Sequence, residues 1–289
     1  MKKSIYIVFI LLIANACEEY QQPEPSGDSW DDVKDQGYGT LTALYVPAEG
    51  FAYEDEDGQL TGVTVELLNN FAHFLSDEYD VLLQLDFVEE EDWSRFYQRI
   101  ADGDDGLIGF GNVTITEDRK KELAFSPPYM TNIASLITHE DADELPNFEQ
   151  MSETFSGLDG LAFEGTLHEE RLRDLLESYH SDADIEMASS NDEIIDRISE
   201  ENRYFAYIDI YNYWRAVDRG APIKRHGAGD KASEQFGYIM PLETSWEEIV
   251  TEYFKHDDGL LQSEEYSSIM VEHLGENLAT LLMEAHTTN

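Results

Sequence analysis

Three groups of residues in this chain are of types and spacings that can hold a small charged molecule. Arg119 closes the run Thr116-Glu117-Asp118-Arg119. Thr116 is suited to cap a short helix there, which brings free backbone N–H groups and a guanidinium to one place. A planar guanidinium can grip a carboxylate through two parallel hydrogen bonds, which an ammonium cannot do. Asp209 ends the apolar run Phe205 to Ile208, where a buried carboxylate is costly unless a cation or N–H donors meet it. Thr166 and Glu169 have the Thr-x-x-Glu spacing of a capping box ahead of an apolar helix face, so the N–H groups around Leu167 offer a second set of donors. Each group has a plainer alternative. Arg119 can be a surface arginine paired with a nearby acid, Asp209 can cap the helix from Tyr211 to Val217, and Thr166 can simply stabilise its own helix.

The elements that must position these residues alternate. Leu41 to Val46 is apolar and β-prone, and Leu67, Phe71, Phe74 and Leu75 recur on one helical face. Val81 to Phe87 reads as the next strand. Trp93, Phe96, Tyr97 and Ile100 follow at helical spacing after an N-cap at Asp92, and Leu107 to Phe110 is a short buried strand. The pattern restarts with strands at Ala134 to Thr138 and Leu161 to Phe163. Helix faces follow at Leu172, Leu175, Leu176 and Tyr179, then at Ile194, Ile195 and Ile198, and Tyr204 to Ile210 is again strand-like. Trp246 to Phe254 and Tyr266 to Met270 return to helix. Repeated β-α-β units imply largely parallel sheets covered by helices. Their arrangement in two runs implies two α/β lobes with a ligand crevice between them, at the C-terminal ends of strands.

Composition narrows the function classes. The chain has 289 residues, 18 Lys and Arg, 62 Asp and Glu, and a formal charge of −44. Such a chain has no means of neutralising phosphates, so a nucleic-acid partner is excluded. With 12% aromatic residues it is not a disordered acidic tail either. Acidity on this scale is costly at low salt and screened at about 1 M, where the Debye length is roughly 3 Å, so the composition resembles that of halophilic acidic proteins. The histidines are scattered without paired ligand spacing, which argues against metal chemistry, and no cofactor is expected.

The N-terminus carries Lys2 and Lys3, an apolar run from Ile5 to Ile13, and small residues up to Cys17, the only cysteine. The run is shorter than the roughly 20 residues that span a bilayer and reads as an export signal. It resembles a bacterial lipoprotein signal, with Cys17 as the lipidated new N-terminus. Ala14 departs from the leucine usual three residues before that cysteine. Residues 18–40 are rich in Gln, Pro, Ser, Asp and Gly and read as a flexible acidic tether.

Four segments in order resemble the family 3 extracellular solute-binding proteins, the amino-acid receptors of bacterial ABC transporters. They are Phe51-Ala-Tyr53 with Asp57-Gly-Gln-Leu-Thr-Gly62 and Val65-Glu66-Leu67; Asn112-Val-Thr-Ile-Thr-Glu-Asp-Arg119 running into Phe125-Ser-Pro-Pro-Tyr129; Gly165-Thr166; and Tyr207-Ile-Asp209. The resemblance spans about residues 41 to 275. It implies an α/β fold of the two-lobe periplasmic binding protein type II (Venus-flytrap) kind, each lobe a mostly parallel sheet flanked by helices. Lobe 1 would comprise 41–131 plus 237–285 and lobe 2 would comprise 132–236, after a signal at 1–17.

The resemblance also implies roles. Arg119, the Thr114 hydroxyl, Asn112 and the backbone at Thr166 and Leu167 would bind the α-carboxylate of an amino acid, and Asp209 would receive its α-ammonium. Leu167 departs from the small or hydroxylic residue common there, so only its backbone can serve. Phe51, Tyr53 and Trp93 fall where the family packs aromatics on the ligand side chain, although Trp93 also begins an apolar helix face and can be core. Glu49 stands where a small or aromatic residue is usual and would bias the pocket toward a cationic or hydrogen-bonding side chain. At an effective dielectric of about 20 an ion contact near 4 Å contributes about 4 kcal/mol before desolvation. The expected protein is a monomeric, membrane-anchored lipoprotein facing the periplasm or cell exterior, which presents its ligand to an ABC permease. The alternatives are a cyclohexadienyl-dehydratase-like enzyme on the same scaffold, with Glu49 or Glu164 as general acid, and a ligand-sensing module of a signalling or cell-wall system.

Overall fold

The computed structural model describes residues 25–287, so Cys17 and the export segment lie outside the described residues. The chain enters through helix α1 (Trp30–Gln36), strand β1 (Tyr38–Tyr45) and the small hairpin β2 (Tyr53–Glu54) and β3 (Leu60–Thr61). Then come α2 (Val63–Tyr79), β4 (Leu82–Glu89), α3 (Trp93–Ala101), β5 (Leu107–Thr114), β6 (Leu123–Phe125) and β7 (Met130–His139). The short α4 (Met151–Thr154) leads to β8 (Asp159–Phe163), α5 (Leu167–Tyr179), β9 (Ile185–Ala188), α6 (Asn191–Glu200), β10 (Tyr204–Asp209) and α7 (Ile210–Asp218). The 19-residue strand β11 (Ile223–Pro241) returns, and α8 (Glu247–Lys255), α9 (Glu264–Leu274) and α10 (Glu276–Thr287) complete the chain.

The strands form one curled sheet in the order β4-β1-β5-β11-β7-β10-β8-β9, with β6 beside β11. In lobe 1, β1 lies parallel to both β4 and β5, with Tyr38 opposite Leu82 and Thr42 opposite Leu107. In lobe 2, β8 is parallel to β10 and β9. The antiparallel strands β7 and β11 join the two: β11 pairs with β7 from Ile223 to Phe236 and with β5 through Phe236, Gly237 and Ile239. Helices α2, α8, α9 and α10 bury one apolar cluster against β1 and β5, while α5 and α6 cover the two faces around β8 and β10. A strand buried on both faces reads as a continuous apolar run, as Tyr204 to Ile208 does.

Local sequence accounts for the elements around the site. Asp92 caps α3 by accepting from the Arg95 N–H at 2.7 Å. Gly62, at φ +124°, starts α2 where a Cβ would lie 2.4 Å from the Phe51 carbonyl, so only glycine fits.

The expected flexible tether over 18–40 does not hold for its described part. Ser29 caps α1, and Trp30 and Val33 are buried, with the Trp30 ring 5.5 Å from Trp246. The physical reason is the i, i+3 spacing of these two apolar residues, which gives α1 a face to bury. The backbone N–H of Trp30 donates to Ser245 Oγ, and Trp246 Nε1 donates to the Asp28 carbonyl, so this segment is pinned to lobe 1. Among the described residues no helix is long and apolar enough to cross a membrane.

Candidate functional site

A cleft of about 880 Å³ lies between the lobes. Of the residues picked out in the sequence, Glu49, Trp93, Asn112, Thr114, Arg119, Thr166, Leu167 and Asp209 all line it. Phe51 and Tyr53 do not. Phe51 is 1% exposed and packs its ring 4.7 Å from that of Tyr211 in the lobe 1 core. Tyr53 turns away to bond His273 Nδ1 at 3.1 Å. Both belong to the hairpin segment that folds back under α2, so packing rather than the cleft claims their rings.

On the lobe 1 wall, Arg119 opens a three-residue 3-10 turn that follows β5 after residues 115–118. Thr116 accepts its backbone N–H at 3.2 Å, so the expected cap forms, though on a single turn rather than a helix. The guanidinium donates from Nη1 to the Thr114 carbonyl at 3.1 Å and lies 5.7 Å from the Tyr97 ring centroid. It makes no ion pair among the described residues. Burial pulls this guanidinium below its ordinary arginine value, and arginine remains a cation throughout. A desolvated cation with donors to spare is what a carboxylate ligand requires. The Asn112 side chain is already committed: Nδ2 donates to Tyr211 Oη and Oδ1 accepts from Tyr129 Oη.

On the lobe 2 wall, the Thr166–Glu169 capping box does not form as its spacing suggests. The Thr166 hydroxyl donates to the Phe163 carbonyl at 2.8 Å, and Glu169 accepts from the Gly165 N–H instead. Gly165 sits at φ 76°, and this left-handed turn presents its own N–H to the glutamate. The backbone N–H groups of Leu167 and His168 are left without a partner among the described residues, at the start of a 13-residue helix lining the cleft.

Asp209 is the N-terminal flanking residue of α7, yet its carboxylate caps no helix N–H. Instead Oδ1 accepts from Asn132 Nδ2 at 2.5 Å and from His168 Nε2 at 3.0 Å. Neither partner stood out in the sequence. His168 and Arg171 share a helix face at i, i+3, which is legible, whereas Asn132 and Glu234 come from two strands paired only in the fold. The cleft also takes in Tyr211, Asn212 and Arg215 of α7, a helix whose sequence carries no site motif.

Trp93 packs on Phe96 at 5.6 Å within an apolar cluster, as its core reading expects, and it also stands in the cleft lining. Glu49 is engaged with Arg219 in an ion pair across the cleft mouth. Next to it Gly50 has φ +82°, and a Cβ there would overlap the Arg215 guanidinium. Glu164 is exposed and does not line the cleft. Among the described residues no cluster of His, Cys, Asp and Glu is placed to hold a metal. Among the described residues, the lobe 1 wall thus carries a cation without an ion pair, Arg119, and the lobe 2 side carries the Asp209 carboxylate, two backbone N–H groups without a partner and a second arginine without an ion pair, Arg215. Such a cleft is complementary to a molecule bearing both charges.

Comparison with known proteins agrees with this architecture. The family of bacterial extracellular solute-binding proteins, family 3, matches residues 42–273. A substrate-binding protein of an ABC uptake transporter from Streptococcus pneumoniae, solved with bound histidine, superposes with a TM-score of 0.66 at 17% identity, covering 89% of this chain and 100% of that one. An ancestral amino acid-binding protein, a precursor of cyclohexadienyl dehydratase, superposes with a TM-score of 0.64 at 20% identity over 84% of this chain and 98% of that one. The membrane-bound lytic murein transglycosylase F of Maricaulis maris (strain MCS10) is 27% identical over 172 residues, 57% of this chain and 34% of that protein. The chain spans about a third of the length of the curated relatives it matches. With the family pattern running through both lobes and the cleft between them, the chain belongs to the bacterial extracellular solute-binding proteins of family 3.

Proposed function

We propose that the protein binds an amino acid or similar small zwitterion in the interlobe cleft and delivers it to an ABC transporter permease. The observation that carries this reading is that Arg119, without an ion-pair partner among the described residues, and Asp209 line one cleft from opposite lobes. The ligand carboxylate would sit on Arg119, the Thr114 hydroxyl and the N–H groups of Leu167 and His168, and the ammonium on Asp209. Because the Asn112 side chain is taken, only its backbone would contribute. Trp93 would pack on the ligand side chain, and Glu49, tied to Arg219, would border it. Closing the lobes on such a ligand brings its two poles into simultaneous contact, the kind of hinge motion that exposes a docking surface. Anchoring through a lipidated Cys17 would hold the protein beside its permease.

The dehydratase-like alternative has less to draw on, since Glu164 lies outside the cleft lining and Glu49 is paired. Isothermal titration against the standard L-amino acids tests the proposal. Micromolar binding, about 8 kcal/mol, is expected for at least one of them, with Arg119→Ala weakening it by about a hundredfold or more. No measurable binding by the wild type overturns the reading. Turnover of prephenate or arogenate would favour the enzyme instead.

A further inference from the structure

The acid on the lobe 2 wall belongs to a closed ring of side chains, all buried except the part-buried Arg171. Asp209 Oδ1 accepts from His168 Nε2 and from Asn132 Nδ2. His168 Nδ1 lies 2.8 Å from Arg171 Nη1, Arg171 is ion-paired with Glu234, and Glu234 Oε2 accepts from the second hydrogen of Asn132 Nδ2 at 3.2 Å. Arginine only donates, so Nδ1 of His168 accepts and Nε2 carries the hydrogen given to Asp209. The imidazole is therefore neutral. Two carboxylates then face one guanidinium, and the ring is one positive charge short, with its deficit at the cleft. Asn132 and Glu234 sit opposite each other on β7 and β11, the strands that run between the lobes.

We infer that His168 is a proton-linked positioning residue of the ligand site. Neutral, it aims Asp209 and leaves one uncompensated negative charge for a ligand's ammonium. Protonated, it supplies that positive charge itself, loses its bond from Arg171, and the ligand leaves as one proton is taken up. This rests on the amino-acid-binding reading above. The charged and titratable groups facing His168 are Asp209 and Tyr207 on β10, the latter ring stacked 6.4 Å away, and Arg171 on α5. Glu234 on β11 stands behind Arg171.

The test takes the standard L-amino acid that binds the full chain most tightly at pH 8 as probe and measures Kd by calorimetry from pH 8 to 5.5. Wild type is expected to weaken, approaching tenfold per pH unit on the acid side, with one proton taken up on release. His168→Gln keeps a donor for Asp209 and an acceptor for Arg171. It is expected to bind up to about tenfold more weakly at pH 8 and to lose the pH slope. A wild type without a slope, or a His168→Gln variant that keeps it, overturns the inference. Should no amino acid bind at pH 8, the amino-acid reading fails, and the ring is tested by itself through long-range 1H–15N NMR of the imidazoles. His168, assigned by its loss in His168→Gln, must then be neutral with its hydrogen on Nε2, and any other state refutes the inference.

Discussion

The side-chain amide of Asn112 on β5 donates to Tyr211 Oη on α7 at 2.8 Å and accepts from Tyr129 Oη at 2.9 Å. One asparagine thus satisfies two buried phenols, and it does so at φ 57°, a left-handed conformation that asparagine adopts more readily than most residues. Burial holds the Tyr129 hydroxyl well above its ordinary range, so it stays a donor. Asn112→Ala leaves both hydroxyls unpaired and is expected to cost about 2–4 kcal/mol in denaturant unfolding. A loss below about 1 kcal/mol would show that the hydroxyls find other partners.

Phe51 and Trp93 separate packing from binding. Phe51→Ala opens a cavity in the lobe 1 core and is expected to cost about 3–5 kcal/mol of stability, while changing the affinity for a bound amino acid by less than about threefold. Trp93→Ala removes part of the cleft wall and is expected to lower affinity by more than about tenfold in the same titration. Equal effects of the two on affinity would contradict the placement of Phe51 outside the cleft.

His226 makes stability depend on pH. Its imidazole is fully buried, accepts the Leu145 N–H at Nδ1 and bonds the Thr138 hydroxyl at Nε2. Burial first, and the charge of Lys224 second, hold it down to about 4 from the ordinary 6.5. Glu144 at 3.8 Å is largely exposed and too well solvated to reverse this. Above pH 6.5 neither state is protonated and the group contributes nothing. Between 6.5 and 4 the unfolded chain binds a proton that the folded one refuses, so stability falls with pH, by up to about 3 kcal/mol, and levels off below 4. Unfolding titrations of wild type and His226→Gln at pH 7 and pH 4.5 should differ in this slope, and parallel profiles would refute it.

What could be read from the sequence was local. Asp92 before Trp93, the α2 face at Leu67, Phe71, Phe74 and Leu75, and the apolar run ending at Asp209 each specify an element through nearest neighbours, and each formed close to its expected limits. That Arg119, Thr114 and Asp209 would come to one cleft was legible through their short, contiguous motifs, and all three line it. Strand β11 was not, because Gly227, Gly229, Asp230 and Lys231 interrupt any alternation, and its pairing with β7 and β5 is fixed only by the fold. For that reason Glu234 and Asn132, which join across those strands, gave no signal. The Thr166–Glu169 box shows the opposite failure: the spacing was present, but the turn at Gly165 offered Glu169 a different N–H.

The excess of 62 acidic over 18 basic residues predicts a salt response. Acids cluster on exposed turns such as Asp55, Glu56 and Asp57 at the β2–β3 hairpin, where like charges repel across water. Raising KCl from 0.1 M to 1 M shortens the screening length from about 10 Å to about 3 Å and removes most of that repulsion. Chloride is the anion of choice because sulfate would also strengthen apolar burial and blur the cause. Scanning calorimetry at the two concentrations is expected to raise Tm by about 5 °C or more, on the order of 1–2 kcal/mol of added stability. Part of the gain should vanish in a variant whose exposed hairpin acids, Asp55, Glu56 and Asp57, are replaced by Asn and Gln. A flat or falling Tm in the wild type would mean that these charges are already too well solvated to strain the fold.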